Sequence, residues 1–234
     1  MQGREFKDFV FQEIAVIAQA FASPKRLEII DILAQGERSV ETLAHEVSMT
    51  IANTSRHLQV LKSAGIVRSR KQGVSVIYLL ADDGVLACWK ALQTLAEKRR
   101  TEIKEMAKSF FAERDPIEPV SIAELQRRLK NNEIVLFDVR PIEEYENGHL
   151  PGAVSMPLIE LKSGLDRLSK RREIVAYCRG RYCVLAAEAV AILKRAGYKA
   201  LRLEDGVYEW QQAGLAIEMG NGRMPNKKEI KARR

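Results

Sequence analysis

Glu173-Ile-Val-Ala-Tyr177-Cys178-Arg-Gly-Arg-Tyr-Cys183-Val-Leu-Ala-Ala-Glu-Ala-Val-Ala-Ile-Leu193 contains an apolar run, a short polar turn and an Ala- and Leu-rich run in immediate succession. The first run reads as a buried strand. The last, Val184–Leu193, reads as a packed helix. Cys178 therefore stands at a strand's end, in a tight turn that opens onto a helix N-terminus. Thiolate is the reactive form of cysteine. A helix N-terminus flanked by Arg179 and Arg181 is expected to pull a thiol pKa from ~8.5 into roughly the 3.5–7.5 range. Consecutive amides through Arg179, Gly180, Arg181, Tyr182 and Cys183 form a concave nest for an anion, and Gly180 lets the loop curl without a Cβ clash. The chemistry this predicts is a nucleophilic sulfur that accepts an anionic group.

Outward from this stretch, strand and helix alternate from Ile134 to Leu203, the pattern of a parallel sheet flanked by helices. Ser121 and Glu124 have capping-box spacing, so a helix is expected to run to about Lys130. Asp138 and Arg140 follow the strand Ile134–Asp138 and are expected to form a supporting ion pair that fixes the neighbouring loops. Glu143 and Glu144 read as the solvated face of a short helix, and His149 as a structural residue.

Three ordered stretches carry a resemblance over roughly residues 117–217. Leu136-Phe-Asp138-Val-Arg140-Pro-Ile-Glu-Glu-Tyr145-Glu-Asn-Gly148-His149-Leu-Pro151-Gly152-Ala153 comes first, then the cysteine loop, then Leu203-Glu-Asp-Gly206-Val-Tyr-Glu-Trp210-Gln-Gln-Ala-Gly214. Together they resemble the rhodanese family of sulfurtransferases. The resemblance implies a double displacement in which Cys178 attacks the outer sulfur of thiosulfate or a persulfide, and an acceptor then takes that sulfur. Backbone amides of residues 179–183 would hold the anionic persulfide, with Arg179 and Arg181 attracting the anionic donor. The phosphatase and arsenate-reductase type would need a longer loop ending in Arg, whereas Val184 stands six residues after Cys178. Cys183 departs from a plain rhodanese loop. It reads either as a resolving thiol or as a small apolar residue at the helix start.

The N-terminal half follows a different pattern. Phe6, Val10, Ile14, Ile17 and Phe21 recur at helical spacing over residues 5–21. Ser23-Pro24 starts a second helix that Gly36 ends, with Leu27, Ile30, Ile32 and Leu33 on it. Ser39 caps a third, with Leu43 and Val47 inward, and Thr50 opens a fourth whose core face is Ile51, Leu58 and Leu61. Ile66–Leu80 then reads as a hairpin turning at Lys71-Gln72-Gly73. From Thr50 through Ala81 no acidic residue occurs, while Arg56, Lys62, Arg68, Arg70 and Lys71 all fall there. A basic strip inside a near-neutral domain is a footprint for polyanions.

Two short helices, a tight turn and a basic hairpin make a winged helix-turn-helix. The phrase Thr54-Ser-Arg-His57-Leu-Gln-Val-Leu-Lys-Ser-Ala-Gly65-Ile-Val resembles the ArsR family of small dimeric repressors, a likeness running over roughly residues 10–110. Thr50, Asn53, Thr54, Arg56 and Gln59 share the outer face of the fourth helix. Asn53, Thr54 and Gln59 suit base edges, and Arg56, Lys62, Arg70 and Lys71 suit phosphates of a double-stranded DNA operator. His57 either touches phosphate or braces the helix start. A long helix is expected from Asp83 to about Glu113, carrying Trp89, Leu92, Ala96, Ile103, Met106 and Phe110. The ArsR resemblance implies a homodimer built on the first and last helices. His45 stands alone, and Cys88 reads as a buried thiol or a relay, so no metal site and no cofactor are expected.

The chain has 234 residues with a net charge of +7 at pH 7, charged residues at 29% and three cysteines. This fits two folded domains with free thiols in a reducing cytoplasm. No run is long enough for a membrane span, and Glu5, Asp8, Glu13 and Gln19 argue against a signal peptide at Ile14–Ala22. The expected organisation is a mainly-α winged helix-turn-helix at 1–114, a linker at 115–120, an α/β rhodanese-like domain at 121–217 and a basic tail at 218–234. The expected function is a DNA-binding transcriptional regulator that senses or handles sulfane sulfur through a Cys178 persulfide. The alternatives are a sulfurtransferase with an autoregulatory DNA-binding domain, and a repressor with an idle second domain.

Overall fold

The computed structural model describes residues 2–114, 119–165 and 168–220. The chain divides into two compact units, 1–100 and 101–234. Most of the expected linker and the tail beyond Gly220 lie outside the described residues.

The first unit runs α1 (Gly3–Phe21), α2 (Pro24–Leu33), β1 (Arg38–Ser39), α3 (Val40–Glu46), α4 (Ile51–Ser63), β2 (Val67–Gln72), β3 (Ser75–Leu80) and α5 (Asp83–Arg99). Side chains start the two central helices. Ser39 Oγ accepts the Thr42 N–H at 3.2 Å and Thr50 Oγ1 accepts that of Asn53 at 3.3 Å, each satisfying an amide the helix cannot. The core gathers Ile29, Ile30, Leu43, Val47, Leu58 and Leu61, all fully buried. Ile51, expected inward, is exposed in the first turn of α4, past the edge of this packing. β2 and β3 pair antiparallel with Gln72 opposite Ser75, leaving Gly73-Val74 as a two-residue turn. Gly73 takes a φ of +60°, which a side chain would resist. β1, too short to show periodicity, joins on the far side to give the order β1-β3-β2.

The expected long helix from Asp83 is two helices. Arg100, at φ −125° and ψ 86°, breaks α5 from α6 (Thr101–Arg114). Trp89 is half-buried on the core of the first unit, its indole N–H donating to Asp31 at 2.9 Å. The division between units thus falls at Arg100 and not in the Pro-containing segment that the sequence suggests.

The second unit continues α7 (Ile122–Lys130), β4 (Ile134–Asp138), α8 (Ile142–Asn147), β5 (Val154–Ser155), α9 (Leu158–Gly164), β6 (Glu173–Tyr177), α10 (Leu185–Arg195), β7 (Ala200–Arg202) and α11 (Val207–Gln212). The strands form one parallel sheet in the order β5-β4-β6-β7, with Val120 bridging beside Leu203. Alternate residues serve opposite faces. Phe137, Ile174 and Ala176 meet α9 and α10, while Leu136 and Val175 pack with Leu125, Tyr145 and Trp210 from α7, α8 and α11. α6 lies against α10. Its Phe111 is buried under the Arg202 guanidinium, 4.2 Å from the ring centroid. The chain leaves β4 toward β5 and leaves β6 toward β7, so the loops after β4 and β6 flank a switch in strand order. In parallel α/β sheets that is where a binding crevice forms.

Candidate functional site

Cys178 sits just past the end of β6 and is 3% exposed. Backbone amides favour the ionised form of both sulfurs here: those of Gly180 and Ala186 for Cys178, and those of Arg179 and Leu185 for Cys183. The two side chains hydrogen-bond each other, and Cys178 Sγ also lies 3.5 Å from the Cys183 carbonyl oxygen. The expected nest of residues 179–183 is therefore incomplete, because the Cys183 N–H donates to the Gly180 carbonyl at 3.0 Å.

The expected acidic Cys178 is corrected by its surroundings. Burial, the hydrogen bond to Cys183 and the charge that develops there push the Cys178 thiol well above the usual thiol range. Cys183 is drawn below its ordinary value, chiefly by the hydrogen bond from Cys178, against the opposing effect of burial. The pair thus holds its first negative charge easily and resists a second. The charge belongs to the pair.

The arginines also differ from expectation. Arg179 turns inward to Glu144: their closest approach is 2.5 Å, with the Glu144 side chain fully buried and that of Arg179 16% exposed. Glu144, expected on a solvated face, is instead the counter-ion under the cysteine loop, and Glu143 is the exposed one. Arg181 is exposed and pairs with Glu204 and Asp205 at 3.3 and 3.8 Å. Tyr182 is exposed at the loop's outer edge.

Beneath the crevice, Asp138 accepts from the Arg140 backbone N–H at 3.0 Å, from its guanidinium at 2.5 Å and from Tyr177 Oη at 2.6 Å. Arg140 donates onward to the Gly148 carbonyl at 2.7 Å, and Tyr177 Oη accepts the Leu150 N–H at 3.0 Å. Burial works against the Arg140 charge, yet the Asp138 carboxylate holds its pKa above the ordinary value. Burial and the same carboxylate raise that of Tyr177. This network ties the ends of β4 and β6 to residues 148–150. His149 stacks on Tyr145 at 3.6 Å between centroids, and its Nδ1 meets the Tyr145 carbonyl at 2.8 Å.

Gly206 closes the construction. A Cβ there would stand 2.7 Å from the Arg179 carbonyl carbon and oxygen and 2.9 Å from the Gly180 nitrogen. The third sequence stretch thus supports the cysteine loop by direct backbone approach. Gly180 takes a φ of +131°, with Glu209 Oε2 3.3 Å from where its Cβ would be. Tyr177, Glu144 and Gly206 were not singled out as site residues from sequence, and only their place inside the three stretches pointed to them.

In the first unit, Asn53, Arg56 and Gln59 are exposed on α4, Lys71 is exposed on the hairpin, and His57 is half-buried. Thr50 is spent as a cap. Thr54 is the correction: it is fully buried, its hydroxyl donating to the Thr50 carbonyl at 3.0 Å. Lys62 donates to Ser69 Oγ at 2.7 Å, and Arg70 pairs with Glu37 and with Gln72. Cys88, expected buried, is exposed on α5. His45 is exposed, and among the described residues no cluster of His, Cys, Asp and Glu is placed to hold a metal ion. No described helix is long and apolar enough to cross a membrane.

A winged helix-turn-helix with a basic outer face, followed by a parallel-sheet domain with a cysteine cradle, defines an ArsR-type regulator joined to a rhodanese-like domain. Residues 23–69 match the bacterial regulatory protein arsR family, and residues 121–213 match the rhodanese-like domain. The HTH-type transcriptional regulator Rv0324 of Mycobacterium tuberculosis is 40% identical over 214 residues, spanning 92% of this chain and 94% of that protein. The chain belongs to this family of HTH-type transcriptional regulators. A protein named sulfurtransferase from Allochromatium vinosum is 30% identical over 98 residues, 42% of this chain and 90% of that one. Among solved structures, the homodimeric winged helix-turn-helix DNA-binding domain of Mb0332 from Mycobacterium bovis is 34% identical. It covers 43% of this chain and 91% of that fragment, with a TM-score of 0.40.

Proposed function

We propose that this regulator binds operator DNA as a homodimer, that Cys178 accepts sulfane sulfur as a persulfide, and that the sulfur state of that thiol sets the affinity for DNA. The observation that supports it most is the cradle of amides around two cysteines, built by three sequence stretches in one unit of a chain whose other unit reads DNA. In the loading step a Cys178 thiolate attacks the outer sulfur of thiosulfate. A Cys178–S–S⁻ bond forms, the donor's S–S bond breaks and sulfite leaves with the electron pair. Cys183, hydrogen-bonded to Cys178, is placed to take the Cys178 proton. The Gly180 and Ala186 amides then face the new anion.

Asn53 and Gln59 on α4 are offered to base edges, and Arg56 and Lys71 to phosphates. The dimer rests on α1, where Phe6, Phe9, Phe11 and Ile14 are 57–61% exposed. A helix with so much bare aromatic surface needs a partner, and a second copy of α1 and α5 is the complementary one. Ile14→Asp should convert the dimer to a monomer in sedimentation; an unchanged dimer would remove this seam. Free thiols and a DNA partner support a cytoplasmic location.

Two assays test the function. Thiosulfate-to-cyanide sulfur transfer should occur in the wild type or, where Cys183 diverts the persulfide, in Cys183→Ser, and vanish in Cys178→Ala; its absence from both the wild type and Cys183→Ser would refute a sulfur-handling site. Duplexes enriched from a random library should be shifted by the full chain and much less by Asn53→Ala. If both proteins shift them equally, α4 is not the reading helix. The relative named sulfurtransferase supports a second reading, in which sulfur transfer itself is the output and DNA binding is autoregulatory.

A further inference from the structure

Cys183 is the one nucleophile of the cradle that simple sulfur carriage leaves unused. Both cysteines are free thiols, and Cys183 is the more accessible of the two. Cys178 Sγ lies 3.5 Å from the Cys183 carbonyl oxygen, the two side chains interact directly, and two backbone amides from the turn and the start of α10 favour the ionised form of each sulfur. A second sulfur held against the first, with its own stabilising amides, is the arrangement a resolving thiol requires. A small apolar filler would need none of those donors.

We propose, building on the reading of Cys178 as sulfur acceptor, that Cys183 resolves the Cys178 persulfide, expelling its outer sulfur as hydrosulfide and leaving a Cys178–Cys183 disulfide. Cys183 Sγ attacks Cys178 Sγ, the inner sulfur of the persulfide. A new Sγ–Sγ bond forms, the bond between Cys178 Sγ and the outer sulfur breaks, and its electron pair leaves on the outer sulfur. The Cys183 proton goes with that sulfur, so Cys178–S–S⁻ and Cys183–SH become the disulfide and HS⁻ with charge conserved. The sulfane sulfur is reduced by two electrons, and the two cysteines together are oxidised by two. No further oxidant enters, because the sulfur donor is the oxidant.

Preference for the inner sulfur follows from the cradle. Cys183 hydrogen-bonds Cys178 Sγ itself. An added outer sulfur would lie beyond that atom, and hydrosulfide is a better leaving group than an alkyl thiolate. The site therefore passes from an anionic, amide-stabilised persulfide to a neutral disulfide. Such a product registers exposure to sulfane sulfur after the sulfur itself has gone.

The test uses the full chain in a Cys88→Ser background, which leaves Cys178 and Cys183 as the two cysteines. The protein is exposed to thiosulfate without oxygen and examined by intact mass, with sulfide measured in solution. The parent should become about 2 Da lighter, with one sulfide released per chain, and dithiothreitol should reverse the mass change. Adding Cys183→Ser should trap a species about 32 Da heavier that releases no sulfide. Adding Cys178→Ser should abolish both. A stable sulfur adduct in the parent as well as in Cys183→Ser would overturn the resolving role and leave the acceptor intact. No mass change in any variant would overturn the acceptor itself. A lighter parent with no sulfur gain in Cys183→Ser would show oxidation without a persulfide, and would also overturn the proposal.

Discussion

Gly206→Ala should open the cysteine loop without touching either cysteine. The added methyl would stand 2.7–2.9 Å from backbone atoms of Arg179 and Gly180, several tenths of an ångström inside ordinary contact. Backbone cannot rotate away as a side chain would, so either the loop or the start of α11 must shift. Overpacking of this kind costs about 1–3 kcal/mol. With a urea dependence of about 2 kcal/mol per molar, a 2 kcal/mol loss moves the unfolding midpoint of this unit down by about 1 M. The two tryptophans, Trp89 and Trp210, fall in different units. Urea titration in a Trp89→Phe background lets the buried Trp210 report the second unit alone. Gly214→Ala is the matched control. Gly214 has a φ of +76° with nothing within 4 Å of its Cβ position, so alanine there costs about 1–2 kcal/mol through backbone strain alone. Both variants should be destabilised to a similar extent, but only Gly206→Ala should slow sulfur loading of Cys178 under native conditions. Equal loading rates in the two variants would refute the claim that Gly206 holds the cradle.

Glu144→Gln leaves the Arg179 guanidinium mostly buried without its counter-charge, and should lower the stability of the second unit by roughly 3 kcal/mol in the same titration. Thr54→Val should cost about 1 kcal/mol by thermal unfolding yet leave DNA affinity unchanged, because its hydroxyl serves the helix interior. Arg56→Ala should do the reverse, weakening binding and reducing the salt dependence by about one ion. Cys183→Ser removes the neighbouring charge that opposes ionisation of Cys178, so the Cys178 thiolate should appear at lower pH than in the wild type. Ultraviolet titration in a Cys88→Ser background checks this: the Cys183→Ser thiolate should form at lower pH than the second of the two ionisations seen with both cysteines, and a single ionisation at or above that second step would contradict the shared-charge description.

Elements with strong periodicity or strong punctuation were legible in the residues. The helices that carry Leu58 and Val190, the strands Ile134–Asp138 and Glu173–Tyr177, and the basic hairpin all follow from local pattern. What was not legible depends on partners distant in sequence. Glu144 looks solvent-facing on its own short helix, and only folding brings Arg179 over it, 35 residues on. Thr54 lies among polar neighbours, but its position on α4 turns it to the core. The break at Arg100 carries no Gly or Pro signal, and the surface that α10 offers to α6 is what gives the second helix its place. The acidity expected of Cys178 came from counting nearby arginines. One of those is neutralised by Glu144, the other pairs with Glu204 and Asp205, and Cys178 is governed by burial and by the Cys183 thiol.

The most direct test of coupling between the two units is the operator dissociation constant of the wild type and Cys178→Ser, each with and without a persulfide donor. The account predicts a change of about 5–150-fold on donor treatment of the wild type, and none for Cys178→Ser. One affinity common to all four conditions would contradict it.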